Sequence, residues 1–246
     1  MKLLKLFSLF FLFISINNYS QVKIGDSIVG SAGDEAGHSV DISSGGDIVI
    51  IGYPLADSDN GSASGIVRVF KYDSDNEQWN QLGSDIVGDA ANDQFGFDVE
   101  ITMYGDTPVI AASAPLNDNA FSNAGHVKVF IYNEENDAWD QIGETVEGDA
   151  ESDYMGMSID FANNHLSLTG LLAIGSPYND DTATNAGQVK VYRVDYANQS
   201  LNKFGSDILG DNNGDYFGNS LSVAPAANII AVGAPITMIM ETMLVK

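Results

Sequence analysis

Residues 86–99 read IVGDAANDQFGFDV: an apolar pair, a glycine, an acidic turn, an aromatic–glycine step and the start of an alternating run. The same order of residue types occurs at 28–40 (IVGSAGDEAGHSV), 146–159 (VEGDAESDYMGMSI) and 208–221 (ILGDNNGDYFGNSL). Gly30, Gly88, Gly148 and Gly210 thus mark a beat of about 60 residues, and self-similarity at a fixed period signals a repeat architecture. Other landmarks keep the beat. One is a short apolar run closed by proline: IIGYP at Pro54, IAASAP at Pro115, LAIGSP at Pro177 and IAVGAP at Pro235. A polar loop and an alternating run follow it in SGIVRVFKY, AGHVKVFIY and AGQVKVYRV, and then WNQLGSDIVG, WDQIGETVEG and FGSDILG.

Each unit decodes into short strands. The VKVFIY type of run alternates apolar and polar positions and is rich in Val, Phe and Tyr, as a half-buried strand requires. DIVIIG and NIIAVGAP are continuous apolar runs closed by Gly and Pro, which suits strands buried on both faces. Turn-forming clusters such as SGGD and NEENDAW separate them, and no window has a helical apolar period. About four strands per repeat predicts an all-β chain, a partial β-propeller of about 3.5 four-stranded blades.

The 246 residues include 34 acidic and 10 basic side chains, a formal net charge of −24. Such a field repels nucleic-acid phosphates and anionic lipid, which makes both poor partners. With no cysteine, disulfides, thiol chemistry and Cys-ligated zinc are unavailable. Residues 1–20 (MKLLKLFSLFFLFISINNYS) place Lys2 and Lys5 before an uncharged, mostly apolar run from Leu6 to Ile16 and end on a small residue. This is the layout of a cleaved secretory signal peptide, because a run of about 11 residues is well short of the roughly 20 that span a bilayer. The expected organisation is a signal peptide at 1–20, propeller repeats at 21–235 and an aberrant tail at 236–246, in a protein that is secreted or at the cell surface.

Phe95-Gly96 and Phe217-Gly218, the latter followed by Gly233-Ala234-Pro235, resemble the FG-GAP repeat of integrin α chains and of exported bacterial proteins. Ala36-Gly37 with Gly52-Tyr53-Pro54, and Met155-Gly156 with Gly175-Ser176-Pro177, are similar in degraded form. The resemblance implies a β-propeller whose loops bind protein or glycan partners. It also implies calcium loops of the form D-x-[DN]-x-D-G, but no interval between the two landmarks carries three alternating oxygen ligands, so that site is not carried over.

Carboxylates nevertheless recur before each aromatic–glycine step: Asp89 and Asp93, Asp149 and Asp153, Asp211 and Asp215, with Asp34 alone in the first unit. Paired carboxylates on a turn suit a hard cation such as calcium. The preferred reading is that each caps its own turn by accepting backbone N–H groups. Asp57 and Asp59 in DSDNGSASG come nearest to a calcium loop but lack the third acidic position, and a solvated loop is expected there. His38, His126 and His165 stand in different elements and no nucleophile motif accompanies them, so no catalytic set is expected. Trp79, Trp139, Phe70, Tyr72, Phe130, Tyr132 and Tyr192 recur at strand positions and read as blade packing.

These observations favour a non-catalytic binding or adhesion module with no assured cofactor. The alternative is a fragment of an extracellular propeller-containing hydrolase or lyase. Such an array leaves open blade edges, which favours self-association. The last stretch, ITMIMETMLVK at 236–246, breaks the repeat; read one base out of frame it can encode YNDNGNNAG, close to the loop that follows proline in the other units. A frame-shifted end is therefore expected, with no role for Met238, Met240 and Met243.

Overall fold

The computed structural model describes residues 22–163, 168–224, 226, 228–235 and 239–244, the last stretch as backbone only. The signal-peptide stretch 1–20 and His165 lie outside the described residues, as do parts of the expected tail.

The described residues form four antiparallel sheets and contain no helix. In the first unit β1 (Val40–Ile42), β2 (Ile48–Tyr53) and β3 (Ile66–Asp73) form a meander. Its outer strand is split: β4 (Gln78–Gln81) pairs with the end of β3 and β5 (Ile86–Val87) with its beginning. Between the two halves Leu82 still donates its N–H to the Val69 carbonyl at 2.8 Å, so the outer edge is one interrupted strand. The second unit repeats this with β6 (Val99–Tyr104), β7 (Thr107–Ala114), β8 (His126–Asn133), β9 (Ala138–Gln141) and β10 (Val146–Glu147). The third has β11 (Ser158–Asn163), β12 (Thr169–Ser176), β13 (Gln188–Asp195), β14 (Ser200–Lys203) and β15 (Ile208–Leu209). The fourth sheet has three strands, β16 (Ser220–Ala224), β17 (Ile229–Ala234) and β18 (Ile239–Leu244). The all-β propeller of about three and a half blades expected from the repeat is the observed architecture. β18 is drawn from the stretch expected to be aberrant, and it pairs with β17 in the register Ala234↔Ile239 to Ile229↔Leu244, the position β3 holds on β2.

The cores lie between blades. Ile48, Ile50, Val67 and Val69 of the first unit meet Val99, Ile101, Ile110 and Ala112 of the second. Val109, Ala111, Val127 and Val129 on the other face of the second unit meet Ile159, Phe161, Leu172 and Ile174 of the third. A strand that feeds two such interfaces must be apolar at consecutive positions, which is why Val109–Ala114 is buried throughout.

The aromatic–glycine step links neighbouring blades through backbone. Phe95, Met155 and Phe217 donate N–H to the carbonyls of Ser64, Ala124 and Ala186 in the preceding unit, at 2.8–3.0 Å. Beside these bonds Gly65, Gly125 and Gly187 form parallel bridges to the same three residues. All three glycines have left-handed φ, and a Cβ on any of them would lie 2.1–2.3 Å from the facing backbone oxygen. Any side chain would hold the blades apart.

Candidate functional site: the axial mouth

The innermost strands β1, β6, β11 and β16 stand side by side, and the repeat places equivalent residues in rows across them. The first row follows the step glycines: His38, Phe97, Met157 and Asn219. The second is Ser39, Asp98, Ser158 and Ser220, and two residues further along each strand the third is Asp41, Glu100, Asp160 and Ser222. Alternate residues of a strand share a face, so the second and third rows lie one above the other. The first two rows line an open depression of about 370 Å³.

A bonding rule joins the rows. Side chains of one inner strand accept the backbone N–H of the next, 60 to 63 residues on. The Val99 N–H goes to the Ser39 hydroxyl at 3.2 Å, and the Ile101 N–H to Asp41 at 2.8 Å. The Ile159 N–H goes to Asp98 at 2.8 Å, and that of Val223 to Asp160. Asp98 takes two further bonds on its other oxygen, from the Ser39 hydroxyl at 2.9 Å and the Val99 N–H at 3.1 Å. Oδ2 accepts only the Ile159 N–H, one bond short of the capacity of a carboxylate oxygen.

The third row differs at Glu100. Burial, reinforced by the charges of Asp41, Asp160 and Asp98, pushes its carboxyl up to about 9, and it lies within hydrogen-bonding reach of Asp41. Glu100 is therefore a neutral acid at pH 7. Burial also raises Asp98, but its N–H and O–H donors and the nearby His38 oppose the rise. Asp160 is raised mainly by burial, with the Val223 N–H opposing. His38 sits on the rim, 4.7 Å from the Phe97 ring and 3.4 Å from the Glu35 carboxylate. One strand thus presents two carboxyls about 7 Å apart along the backbone, both raised by burial, with hydrogen-bond donors opposing the rise at Asp98 and neighbouring carboxylates adding to it at Glu100.

The carboxylates singled out in the sequence lie elsewhere. Asp34, Asp93, Asp153 and Asp215 accept the N–H three residues back, from Ser31, Ala90, Ala150 and Asn212, at 2.9–3.1 Å. Asp93 and Asp153 also hold the amides of Asn117 and Asn179 at 2.7 and 3.1 Å. Asp89 and Asp149 pair with Lys128 and Lys190 at 2.6 Å. Asp57 accepts the Ala63 N–H at 2.9 Å, while Asp59 and Asp211 are exposed. Among the described residues no three carboxylate or histidine side chains converge as a metal site. His126 is fully buried, and its ring is pushed down to about 4, by burial first and then by the charge of Lys128. Asp93→Ala is expected to cost about 1–3 kcal/mol in urea denaturation, because the buried Asn117 amide and the part-buried Ala90 N–H lose their acceptor. Asp93→Asn, which keeps one acceptor oxygen, should cost less than half of that.

No family model matches the chain, and no curated protein matches it. Solved structures do. One is a candidate 6-phosphogluconolactonase of Bacteroides uniformis, with a TM-score of 0.53 and 13% identity over 82% of this chain and 48% of that one. Another is a candidate 6-phosphogluconolactonase of Bacteroides fragilis, with a TM-score of 0.54 and 16% identity over 83% of this chain and 49% of that one. The chain spans about half the length of both, and at these identities the likeness establishes the propeller fold.

This corrects the sequence reading. The FG-GAP, integrin-type resemblance is overturned: no such family model matches, and these matching propellers carry the names of hydrolases. The physical reason is visible at the step glycines. Gly96 has φ +86°, and a Cβ on Gly52 would lie 1.9 Å from the Gly96 carbonyl oxygen. The Phe-Gly and Gly-x-Pro landmarks therefore report how closely two blades approach, a demand unrelated families share. The expectation of a non-catalytic adhesion module, drawn from that resemblance, the signal-peptide layout and the want of a catalytic set, is overturned by the same two structures, which carry the names of lactonases.

Proposed function

We propose that the chain carries a hydrolytic site at the axial mouth, acting on an uncharged cyclic ester or related small ester. The alternative reading of the sequence, a propeller-borne hydrolase, is thereby preferred. The observation that carries it is the pairing on β6 of Asp98, which accepts three hydrogen bonds, with Glu100, whose carboxyl is pushed up to about 9. The names of the two similar structures support the same reaction class.

In this reading the free lone pair of Asp98 takes a proton from a water. The resulting hydroxide adds to the ester carbonyl, the carbon–oxygen bond of the ring breaks, and the departing alkoxide takes the Glu100 proton. Proton exchange with solvent then restores both carboxyls. Ser39 and Ser158 stand in the row of Asp98 with their O–H groups already donated, to Asp98 at 2.9 Å and to the Gly218 carbonyl at 2.6 Å. A phosphorylated lactone suits this mouth poorly, since four acidic side chains line or back it and the chain carries a net charge of −24.

The test is acid release from a panel of sugar lactones. Asp98→Asn and Glu100→Gln should each lower kcat by about 10²–10⁴ with folding intact. An uncharged lactone should turn over faster than its 6-phosphate. A wild-type rate no higher than the background hydrolysis, or two variants as active as wild type, would overturn the proposal.

A further inference from the structure

The mouth has a ridge of tyrosines along the third blade. Tyr154 and Tyr216 stand just before the step residues Met155 and Phe217, and Tyr178 lies between them. The Tyr154 and Tyr178 rings meet edge to face with centroids 5.2 Å apart at 65°, and those of Tyr178 and Tyr216 at 5.2 Å and 78°. Tyr178 is 38% exposed, and the other two are half-buried beside it. All three border the mouth. The Met157 N–H donates to the Tyr154 carbonyl at 3.2 Å and the Asn219 N–H to the Tyr216 carbonyl at 3.1 Å, and both donors line the first row. Ser158 of the second row faces Gly175 across β11 and β12, three residues before Tyr178. The ridge begins five residues from the Ile159 amide that bonds Asp98, a span of at most about 17 Å.

The fold does not ask for these rings. Glu35 and Gln94 hold the position of Tyr154 and Tyr216 in the first two units, and all four have left-handed φ of 50° to 58°. Leu55 and Leu116 hold the position of Tyr178. A bulky side chain is disfavoured at such a φ, and neither tyrosine that adopts it is buried in a core. Their backbone is pinned all the same, since the Tyr154 and Tyr216 N–H groups donate to the Asn123 and Asn185 carbonyls at 3.1 Å. Among the described residues this trio of rings occurs at the third blade alone.

Tyrosine rings offer flat apolar faces tipped with hydroxyls. A sugar ring offers the complement, a face of C–H groups edged with hydroxyls. An uncharged saccharide also gives the net charge of −24 nothing to repel. We propose that the substrate is the lactone end of an uncharged oligosaccharide. The lactone ring enters the mouth beside Asp98 and Glu100, and the adjoining sugar lies on Tyr154, Tyr178 and Tyr216. The lactone end of this ligand rests on the hydrolytic reading above, whereas the ridge rests on its own ring geometry.

The other units supply the variant. Tyr154→Gln with Tyr178→Leu gives the third blade the residues that the second carries at Gln94 and Leu116, so the circular dichroism should be unchanged. Wild type should hydrolyse the 1,5-lactone of cellobionic or maltobionic acid with kcat/KM about tenfold above that of glucono-1,5-lactone, with the gain in KM, and the double variant should lose this preference. Calorimetric titration with cellotetraose and maltotetraose, which carry no lactone, reads the ridge alone. Wild type should bind one of them saturably, and the double variant about tenfold more weakly. Disaccharide lactones turned over no faster than glucono-1,5-lactone, an undiminished preference in the double variant, or tetrasaccharides that give no heat would each overturn the proposal and leave the hydrolytic reading standing. A polyproline peptide that titrates where the saccharides do not would assign the ridge to a protein segment and overturn it too. Saccharide binding that the double variant loses, without turnover of any lactone, would overturn the hydrolytic reading and the lactone end, and leave the ridge as a saccharide subsite.

Discussion

Gly125→Ala is expected to lower stability by about 2–5 kcal/mol. Two costs combine. An alanine at φ +79° adopts a left-handed conformation that costs about 1–2 kcal/mol. Its Cβ would also lie 2.3 Å from the Met155 carbonyl oxygen, 2.7 Å from the Met155 nitrogen and 3.0 Å from the Pro115 carbonyl oxygen. These are backbone atoms of two units, so relief requires the second and third blades to part, and overpacking of this kind adds about 1–3 kcal/mol. Gly105→Ala is the control: φ is +60° and nothing lies within 4 Å of the added Cβ. It should pay the conformational cost alone, about 1 kcal/mol. Urea denaturation of the two variants checks the comparison. Equal losses would mean that the blade contact at Gly125 is not rigid.

Glu100→Gln should remove much of the pH dependence of folding stability. The carboxyl titrates near 9 in the folded protein and near 4.5 in the unfolded chain. Between those values the folded state binds the extra proton, so stability falls as pH rises through that window. Below it both states are protonated and the group contributes no slope. Wild type should lose about 2–3 kcal/mol between pH 5 and pH 9 through this residue, since water reaching the mouth reduces the full linkage value. The glutamine variant should lose little over the same range, so it should melt several degrees above wild type at pH 9 and close to it at pH 5. Asp98 and Asp160 are also raised by burial and leave a residual slope of the same sign at the acid end. Parallel stability curves for the two proteins would show that Glu100 is ionised in the folded state.

Most of the fold was readable in the sequence because a blade imposes local demands. Alternation in HVKVFIY, the apolar run in VIAASA and the turn residues between them each follow from strand geometry. The repeat then ties the units together. The family was misread because the landmarks used for it, Phe95-Gly96 and Gly233-Ala234-Pro235, encode a backbone approach and not an ancestry. The axial carboxylates were missed for a related reason. Asp41, Asp98, Glu100 and Asp160 look like ordinary polar alternates of a strand, and nothing local marks Glu100 as neutral. Its state arises first from burial and then from the charges of Asp41 and Asp160, which the repeat brings beside it from the neighbouring units. A usable signal was present all the same: stacked in register, the first three units place an acid (Asp41, Glu100 and Asp160) in one column of the inner strand.

The rule by which an inner-strand side chain accepts the next strand's N–H has a consequence for solubility. The innermost strand of a blade is an edge strand, and an edge with free N–H groups is a template for pairing with foreign chains. At Val99, Ile101, Ile159 and Val223 that template is already occupied by oxygens from the preceding blade. An approaching strand would have to displace a carboxylate or hydroxyl bond at each of these places, and it would meet negative charge in doing so. The acidity of the axis therefore protects the inner edges of the sheets from amyloid-like extension, in a chain that has many of them.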